Sequence, residues 1–403
     1  MSNSLLTINM ITREAIRLFT NTNALLRNVD KQYDSQFAKT GAKIGDTLRI
    51  RLPNDYTVRT GKVASVQGTN EQEVPLTVAT QQGVDMSFSS ADLTLSLDDF
   101  SERILAPAVN VLAGGVASNL AQGTEGFSNL VYKDSSGIAT PDASTWLLAG
   151  AKLDNMSAPR ERRKIMLDPL TQARTVAGLT GLFNPQVKLS SQYASGEMAR
   201  DTLGFDWFMD QTTIKHTNGS YSAGAVSGAN QTGSSITVSA ITGTFNKGDI
   251  ITFAGVNGVN RVTKQSTGEL AQFVVTANVA SGATSIPIYP ALVPAGAGGV
   301  AVQYQTVTAS PANAAVITLV GGASVTFRKN VAFRPEALTL ATADLELPRK
   351  GVVEAARENY DGVSMRMISA YDVVNDDFIT RLDILYGWAT VRGEWGVGVA
   401  DIL

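Results

Sequence analysis

The chain has 403 residues, 44% of them hydrophobic and only 17% charged, with a formal net charge of -3 and no cysteine. That length supplies apolar material for two or three domains. The missing cysteine excludes disulfides, thiolate nucleophiles and cysteine metal sites, and the slight negative charge argues against a dedicated nucleic-acid binder. From the amino end, Ile8, Ile11, Ala15, Leu18 and Phe19 recur at helical spacing, with Thr12 as the expected N-cap. Leu25, Leu26 and Val29 continue the pattern after an interruption at Asn21, Thr22 and Asn23, which predicts a helical arm with a break. Such an arm docks on its own domain or on a neighbouring subunit. Residues 1–6 lack the basic start and apolar centre of a signal peptide, and no apolar run approaches the ~20 residues of a membrane span. The chain is therefore expected to be made and assembled in a cytoplasm.

Residues 43–89 change character. Thr47-Leu48-Arg49-Ile50-Arg51-Leu52 alternates, Pro53-Asn54-Asp55 turns, Tyr56-Thr57-Val58-Arg59 is extended, and Thr60-Gly61-Lys62 turns again. Val74, Leu76 and Val78, then Val84, Met86 and Phe88, alternate with polar partners. This reads as a long antiparallel ribbon with little core of its own, which must lie along another surface. It leads into residues 93–123. There Leu105, Val109, Leu112, Val116 and Leu120 mark one helical face, and Asp98, Asp99 and Glu102 suit the positive end of the helix dipole. Pro107 predicts a short lead-in turn before a long helix, or a kink.

Residues 144–153 read as a helix packed through Trp146, Leu147 and Ala151. Lys164-Ile165-Met166-Leu167 is a short buried strand ended by Asp168-Pro169, and Pro169 opens a helix to about Gly178. Residues 181–221 read as irregular. Between 217 and 322 the charged residues are Lys247, Asp249, Arg261, Lys264 and Glu269 alone, and short alternating runs stand between glycine turns, including Ile250-Ile251-Thr252-Phe253, Phe273-Val274-Val275 and Val300/Val302/Tyr304. This predicts an inserted small all-β barrel or sandwich without helix, centred on Phe253 and Phe273, because α/β-type sequence resumes at Asn330. Residues 365–371 and 380–388 read as a hairpin about Asn375-Asp376, and residues 391–399 as one more edge segment.

No catalytic constellation emerges. His216 is the one histidine, read as lying in a loop, and no Gly-x-Ser-x-Gly elbow accompanies it. Gly61-Lys62 lacks the remainder of a Walker pattern, and no GxGxxG follows a strand. The basic cluster Arg160-Glu161-Arg162-Arg163-Lys164 is a solvated edge or a weak phosphate contact, and Lys62 is an exposed turn lysine or a reach towards another subunit. Catalytic, cofactor-binding and metal residues are each expected to be none.

The segments together resemble a family. Gly45-Asp46-Thr47-Leu48-Arg49-Ile50-Arg51-Leu52-Pro53 with Tyr56-Thr57-Val58-Arg59 and Gly61 is similar to the start of the extended loop in major capsid proteins of tailed bacteriophages. Asp98-Asp99-Phe100-Ser101-Glu102-Arg103 with Pro107-Ala108 resembles the start of their spine helix. Gly204-Phe205-Asp206, His216-Thr217-Asn218-Gly219, Lys247-Gly248-Asp249-Ile250-Ile251-Thr252-Phe253, Gln265-Ser266-Thr267-Gly268, Gln272-Phe273-Val274-Val275, residues 338–348 and Arg381-Leu382-Asp383-Ile384-Leu385-Tyr386-Gly387 follow in the family's order. The branch is that of the Salmonella-phage coat protein with an inserted β-barrel. The resemblance implies an α+β, Hong Kong 97-type capsid fold. It divides into an N-terminal arm (1–42), an extended β loop (43–90), a peripheral domain with the spine helix (91–135), a first part of the axial domain (136–218), the inserted barrel (219–322) and the axial and peripheral remainder (323–403).

It also implies a major capsid protein, with no enzymatic activity and no cofactor. Subunits self-assemble into pentamers and hexamers of an icosahedral head, with scaffolding protein and portal as partners. The head encloses double-stranded DNA without sequence-specific binding, touches no membrane, and is built in the host cytoplasm. A surface or tail protein with β-domains is the alternative. One departure stands out: the best-known relative carries a long charged loop in its insertion, whereas Gly243-Thr244-Phe245-Asn246 here runs straight into Lys247-Gly248-Asp249.

Overall fold

The computed structural model describes residues 8–33, 47–64, 66–68, 72–89, 101–133, 138–178, 202–296, 302–348, 354–372 and 377–403. In chain order, α1 (Ile8–Thr22) and α2 (Ala24–Asn28) are separated at Asn23, whose side chain accepts from the Leu26 amide and caps α2. β1 (Asp30–Tyr33), β2 (Thr47–Arg51), β3 (Glu73–Thr77) and β4 (Thr80–Ser89) follow, then a π turn at Ser101–Leu105 that runs into α3 (Ala106–Ala121). Next come β5 (Asn129–Val131), α4 (Ala143–Asn155), β6 (Lys164–Leu167), α5 (Pro169–Gly178), β7 (Asp206–Met209) and β8 (Lys215–Thr217). β9 (Gly233–Thr237), β10 (Ile250–Val259), β11 (Ser266–Val275), β12 (Ser285–Leu292) and β13 (Ile317–Leu319) precede β14 (Thr326–Phe333) and β15 (Leu338–Ala343). β16 (Glu354–Tyr360), β17 (Val363–Asp372), β18 (Asp377–Thr390) and β19 (Gly396–Ile402) complete the chain.

One compact unit comprises Met1–Ile50, Val74–Ala121 and Leu338–Ala389. Its sheet runs β1-β15-β18-β17-β16, with β4 also paired to β18. Leu105, Val109, Leu112, Val116 and Leu120 are all buried, as their spacing predicts, and Pro107 stands directly after the π turn at Ser101–Leu105, the irregular lead-in that its missing N–H calls for. Asp98 and Asp99 lie outside the described residues. The helical run 101–126 is long and apolar enough to cross a bilayer by composition alone, which corrects the expectation from apolar runs. Within this unit, α3 packs instead against α1 and β4. α1 buries Ile11, Ala15, Ile16 and Phe19 against α3, β16 and β17, so the arm docks on its own chain. Thr12 is not the N-cap. It lies one turn inside α1, on the buried face, where its hydroxyl donates to the Ile8 carbonyl.

The returning arm of the ribbon lies along another surface, as its lack of a core of its own predicts. β4 pairs with β18 from Ser89↔Asp377 to Thr80↔Tyr386, and Leu76 and Val78 are buried with Ala341, Ala343, Leu345 and Leu385. The returning arm is thus part of the core, because its alternating apolar positions meet β15 and β18 rather than solvent. Gly83 permits the close pairing: a Cβ there would stand 2.5 Å from Asp383 Oδ1 and 2.6 Å from the Leu382 carbonyl. The buried Asp383 carboxylate accepts from Arg366 at 2.6 Å and Arg381 at 2.7 Å. β17 and β18 form the expected hairpin, and its turn at 375–376 lies outside the described residues.

The second unit comprises Arg51–Glu73, Gln122–Ala337 and Thr390–Leu403. One sheet runs β5-β19-β14-β6-β7, with β8 also on β14. β19 therefore lies inside the sheet, not at an edge, since its glycine and valine residues fit between β5 and β14. β7 and β8 replace part of the irregular stretch expected over 181–221. α4 packs on β19 through Trp146, Ala149 and Leu153, while Leu147 and Ala151 point outwards, because the sheet covers only the face that carries Trp146.

The other sheet in this unit is antiparallel, ordered β13-β10-β11-β12-β9. It encloses an apolar cluster that includes Ile236, Phe245, Ile251, Val275 and Ile288, with Phe253 and Phe273 fully buried and their rings 5.5 Å apart. Val302–Tyr304 is a single 3-10 turn rather than a strand, and Gln303 rather than an apolar residue is its buried member.

Candidate assembly surface

Among the expected functional segments, residues 52–68 present the most exposed apolar side chains. Val58 is 97%, Val63 85% and Val66 95% exposed, with Tyr56 beside them. Isolated exposed valines are ordinary, but a group of them on one excursion makes it a candidate contact surface. The excursion is held in shape by its own bonds. The Leu52 amide donates to the Gln72 carbonyl at 2.8 Å. Gln67 spans the two legs, accepting from the Thr57 amide at 2.8 Å and donating to the Thr57 carbonyl at 2.6 Å. Gly61 turns the tip with φ +102°, a conformation that favours glycine, and Arg59 donates to the Gly61 and Val63 carbonyls. Lys62 sits beside this turn.

The other candidates resolve into structural contacts. His216 lies on β8, not in a loop, and is buried. Its Nε2 is 2.8 Å from Asp249 Oδ1, and Asp249 Oδ2 also accepts from the Gly219 and Asn246 amides at 3.0 and 2.8 Å. The Nδ1 side faces Gly248, where a Cβ would stand 3.0 Å from the ring Cε1 and 3.2 Å from Nδ1, so the glycine lets the backbone lie close against the imidazole. The pair pins the start of the β9–β13 region to β8. Arg160 and Arg163 both bond Asp154, and Arg162 pairs with Glu336. Burial alone would raise the Asp154 carboxyl, but the hydrogen bonds from Arg160 and Arg163 bring it below the ordinary carboxylate range. The basic cluster is therefore largely occupied within its own unit. Glu102 lies exposed in the π turn before α3.

Two features had no sequence reading. Lys329 on β14 is wholly buried, and its ammonium has no hydrogen-bond partner among the described residues. Burial lowers its pKa to about 8 against the opposing pull of Glu125 and Asp249. Arg261, beside β10, donates to Asp55 at 2.7 Å and to Glu394 at 2.6 Å. Its scarcity was the available signal, for it is one of few charges in a stretch of a hundred residues that otherwise carries almost none.

A family model for P22 coat protein (gene protein 5) matches residues 2–400. No curated protein matches the chain. Among solved structures, a chain from Mycobacterium phage Che8 is 12% identical, with TM-score 0.42 over 99% of this chain and 95% of that one. The mature capsid of bacteriophage PhiM1 gives 10% identity, TM-score 0.41 and coverage of 93% and 86%. The I-domain of the CUS-3 coat protein is 27% identical, with TM-score 0.21 over 25% of this chain and 96% of that one. The assignment rests on the family match, which spans nearly the whole chain and displaces the tail-protein alternative: the chain belongs to the P22 coat protein family and is a bacteriophage major capsid protein, a virion component that forms the icosahedral shell.

Proposed function

We propose that copies of this chain join as pentamers and hexamers and close a head around double-stranded DNA, which they hold without reading its sequence. A scaffolding protein and a portal are the assembly partners, no membrane takes part, and assembly occurs in the cytoplasm of a bacterial host. The chemistry is association rather than catalysis. The architecture is Hong Kong 97-type, with residues 1–42 as arm, 43–90 as extended loop, 91–135 as peripheral domain, 136–218 and 323–403 as axial and remaining parts, and 219–322 as an inserted barrel. Two sets of hydrogen bonds support the barrel reading. Residues 223–227 bond on one side to residues 237–242 and on the other to residues 314–315, which joins the two open edges of the β9–β13 sheet.

The observation that carries the assembly reading is the exposed tip at Val58, Val63 and Val66. Covering these side chains with a second copy removes apolar surface from water, worth roughly 25 cal/mol per Å². The gain is repeated at every subunit in a shell. Replacing residues 58–66 by two glycines keeps the Thr57–Gln67 pairing and the core strand β3. The expected product is a folded, soluble subunit that forms no shells, scored by sedimentation and electron microscopy. Normal shells from this variant would overturn the reading.

A further inference from the structure

Residues 52–68 leave their exposed tip free but are tied down at both legs. On the outgoing leg, Asp55 Oδ2 accepts from Arg261 Nε at 3.1 Å and from its terminal nitrogen at 2.7 Å. The same guanidinium donates to Glu394 at 2.6 Å, and the other Glu394 oxygen accepts from the Tyr289 hydroxyl. On the returning leg, Gln303 Nε2 donates to the Gly68 carbonyl at 2.8 Å. Arg261 itself is preset. It lies in the turn between β10 and β11, where Asn260 Oδ1 accepts from the Val262 and Thr263 amides at 3.0 Å each and the Asn260 carbonyl accepts from the Lys264 amide. The side chains of Arg261 and Asp55 are about three-quarters buried and that of Glu394 is almost wholly so. Burial works against the Arg261 charge, and the flanking Glu394 and Asp55 carboxylates more than offset it. A planar guanidinium shared by two carboxylates fixes direction as well as distance, which a lysine ammonium does not.

We propose that Arg261 is a positioning residue for shell assembly: by clamping Asp55 against Glu394 it aims the valine tip before a second copy arrives. This rests on the reading that the tip is an assembly contact. A pre-aimed loop meets its partner without first losing the freedom of a swinging one, so the clamp acts on the rate of association.

Arg261→Met and Asp55→Asn test it in the full chain. Trypsin cuts after Arg59 and Lys62, inside the clamped excursion, and cutting of a fast-opening loop tracks the open population. Both variants are expected to be cut about tenfold faster as unassembled subunits, the scale of one lost charge-assisted hydrogen bond, and to form shells correspondingly more slowly. Asp55→Asn leaves the β10–β11 turn intact, so it serves if Arg261→Met folds poorly. The double variant is expected to be little worse than either single one. Arg261→Lys is expected to restore only part of the protection. Unchanged cleavage in both single variants overturns the clamp, and faster cleavage with unchanged shell formation overturns its positioning role. Shells from the loop-replaced chain would defeat the assembly reading itself, a result the cleavage assay distinguishes from failure of the clamp.

Discussion

Replacing Lys329 with methionine is expected to stabilise the protein, and to do so most at neutral pH. The lysine sits on β14, its amide donates to the Ile214 carbonyl, and its buried ammonium has no hydrogen-bond partner among the described residues. Glu125 and Asp249 are the charged groups that act on it, and Asp249 is already engaged by His216 and two backbone amides. The fall in pKa from 10.5 to about 8 corresponds to on the order of 3 kcal/mol. The sign follows from proton binding. Below about pH 8 the lysine is charged in both states and the burial penalty is complete. Between about pH 8 and 10.5 the folded protein sheds the proton while the unfolded chain keeps it, so stability rises with pH. Tyr221 and Tyr386, whose pKa values burial raises, act in the opposite sense only above pH 10. The assay is the difference in thermal midpoint between wild type and Lys329→Met, followed from pH 7 to 10. The variant is expected to melt several degrees higher at pH 7, with the gap closing as pH rises. A variant that melts lower at pH 7, or a gap that does not change with pH, would refute the reasoning.

Gly83→Val should push β4 off β18, because its Cβ would meet Asp383 and the Leu382 carbonyl; a cost of about 1–3 kcal/mol is expected in denaturant unfolding, with faster amide exchange along β4. Phe273→Ala removes a fully buried ring and should cost ~3–5 kcal/mol by the same measurement. Residues 217–322 expressed alone should give a dispersed amide spectrum that collapses in Phe253→Ala, and a narrow spectrum from the unsubstituted fragment would show that the region depends on the rest of the chain. His216→Ala removes a hydrogen bond to the buried Asp249 carboxylate and should cost about 1–3 kcal/mol in thermal stability while moving no hydrolytic activity.

The sequence was most legible where one period ran undisturbed. The 3.6-residue spacing of Leu105 to Leu120 located α3 and its buried face, and Asp168-Pro169 marked the β6–α5 junction to the residue. It misled where packing chose among equal options. Trp146, Leu147 and Ala151 are all apolar, and only the neighbouring sheet decides which of them turns inward. Strand pairing was invisible for the same reason: Val84 and Met86 alternate identically in a free ribbon and on β18, and Gly83 became informative only beside Asp383. Of the proposed assembly surface, the exposed turn at Gly61 was readable and the ion pairs of Arg261 were not, since Asp55, Arg261 and Glu394 are far apart in sequence. The scarcity of charge between residues 217 and 322 did carry the hint, because His216, Asn246 and Gly219 converge on Asp249, and Lys152 pairs with Glu269.

Electron cryo-microscopy of the particles formed by the purified chain tests the central claim most directly. The account predicts closed icosahedral shells in which Val58, Val63 and Val66 of each subunit are covered by an adjacent copy. Closed shells with these side chains standing free in solvent would contradict it.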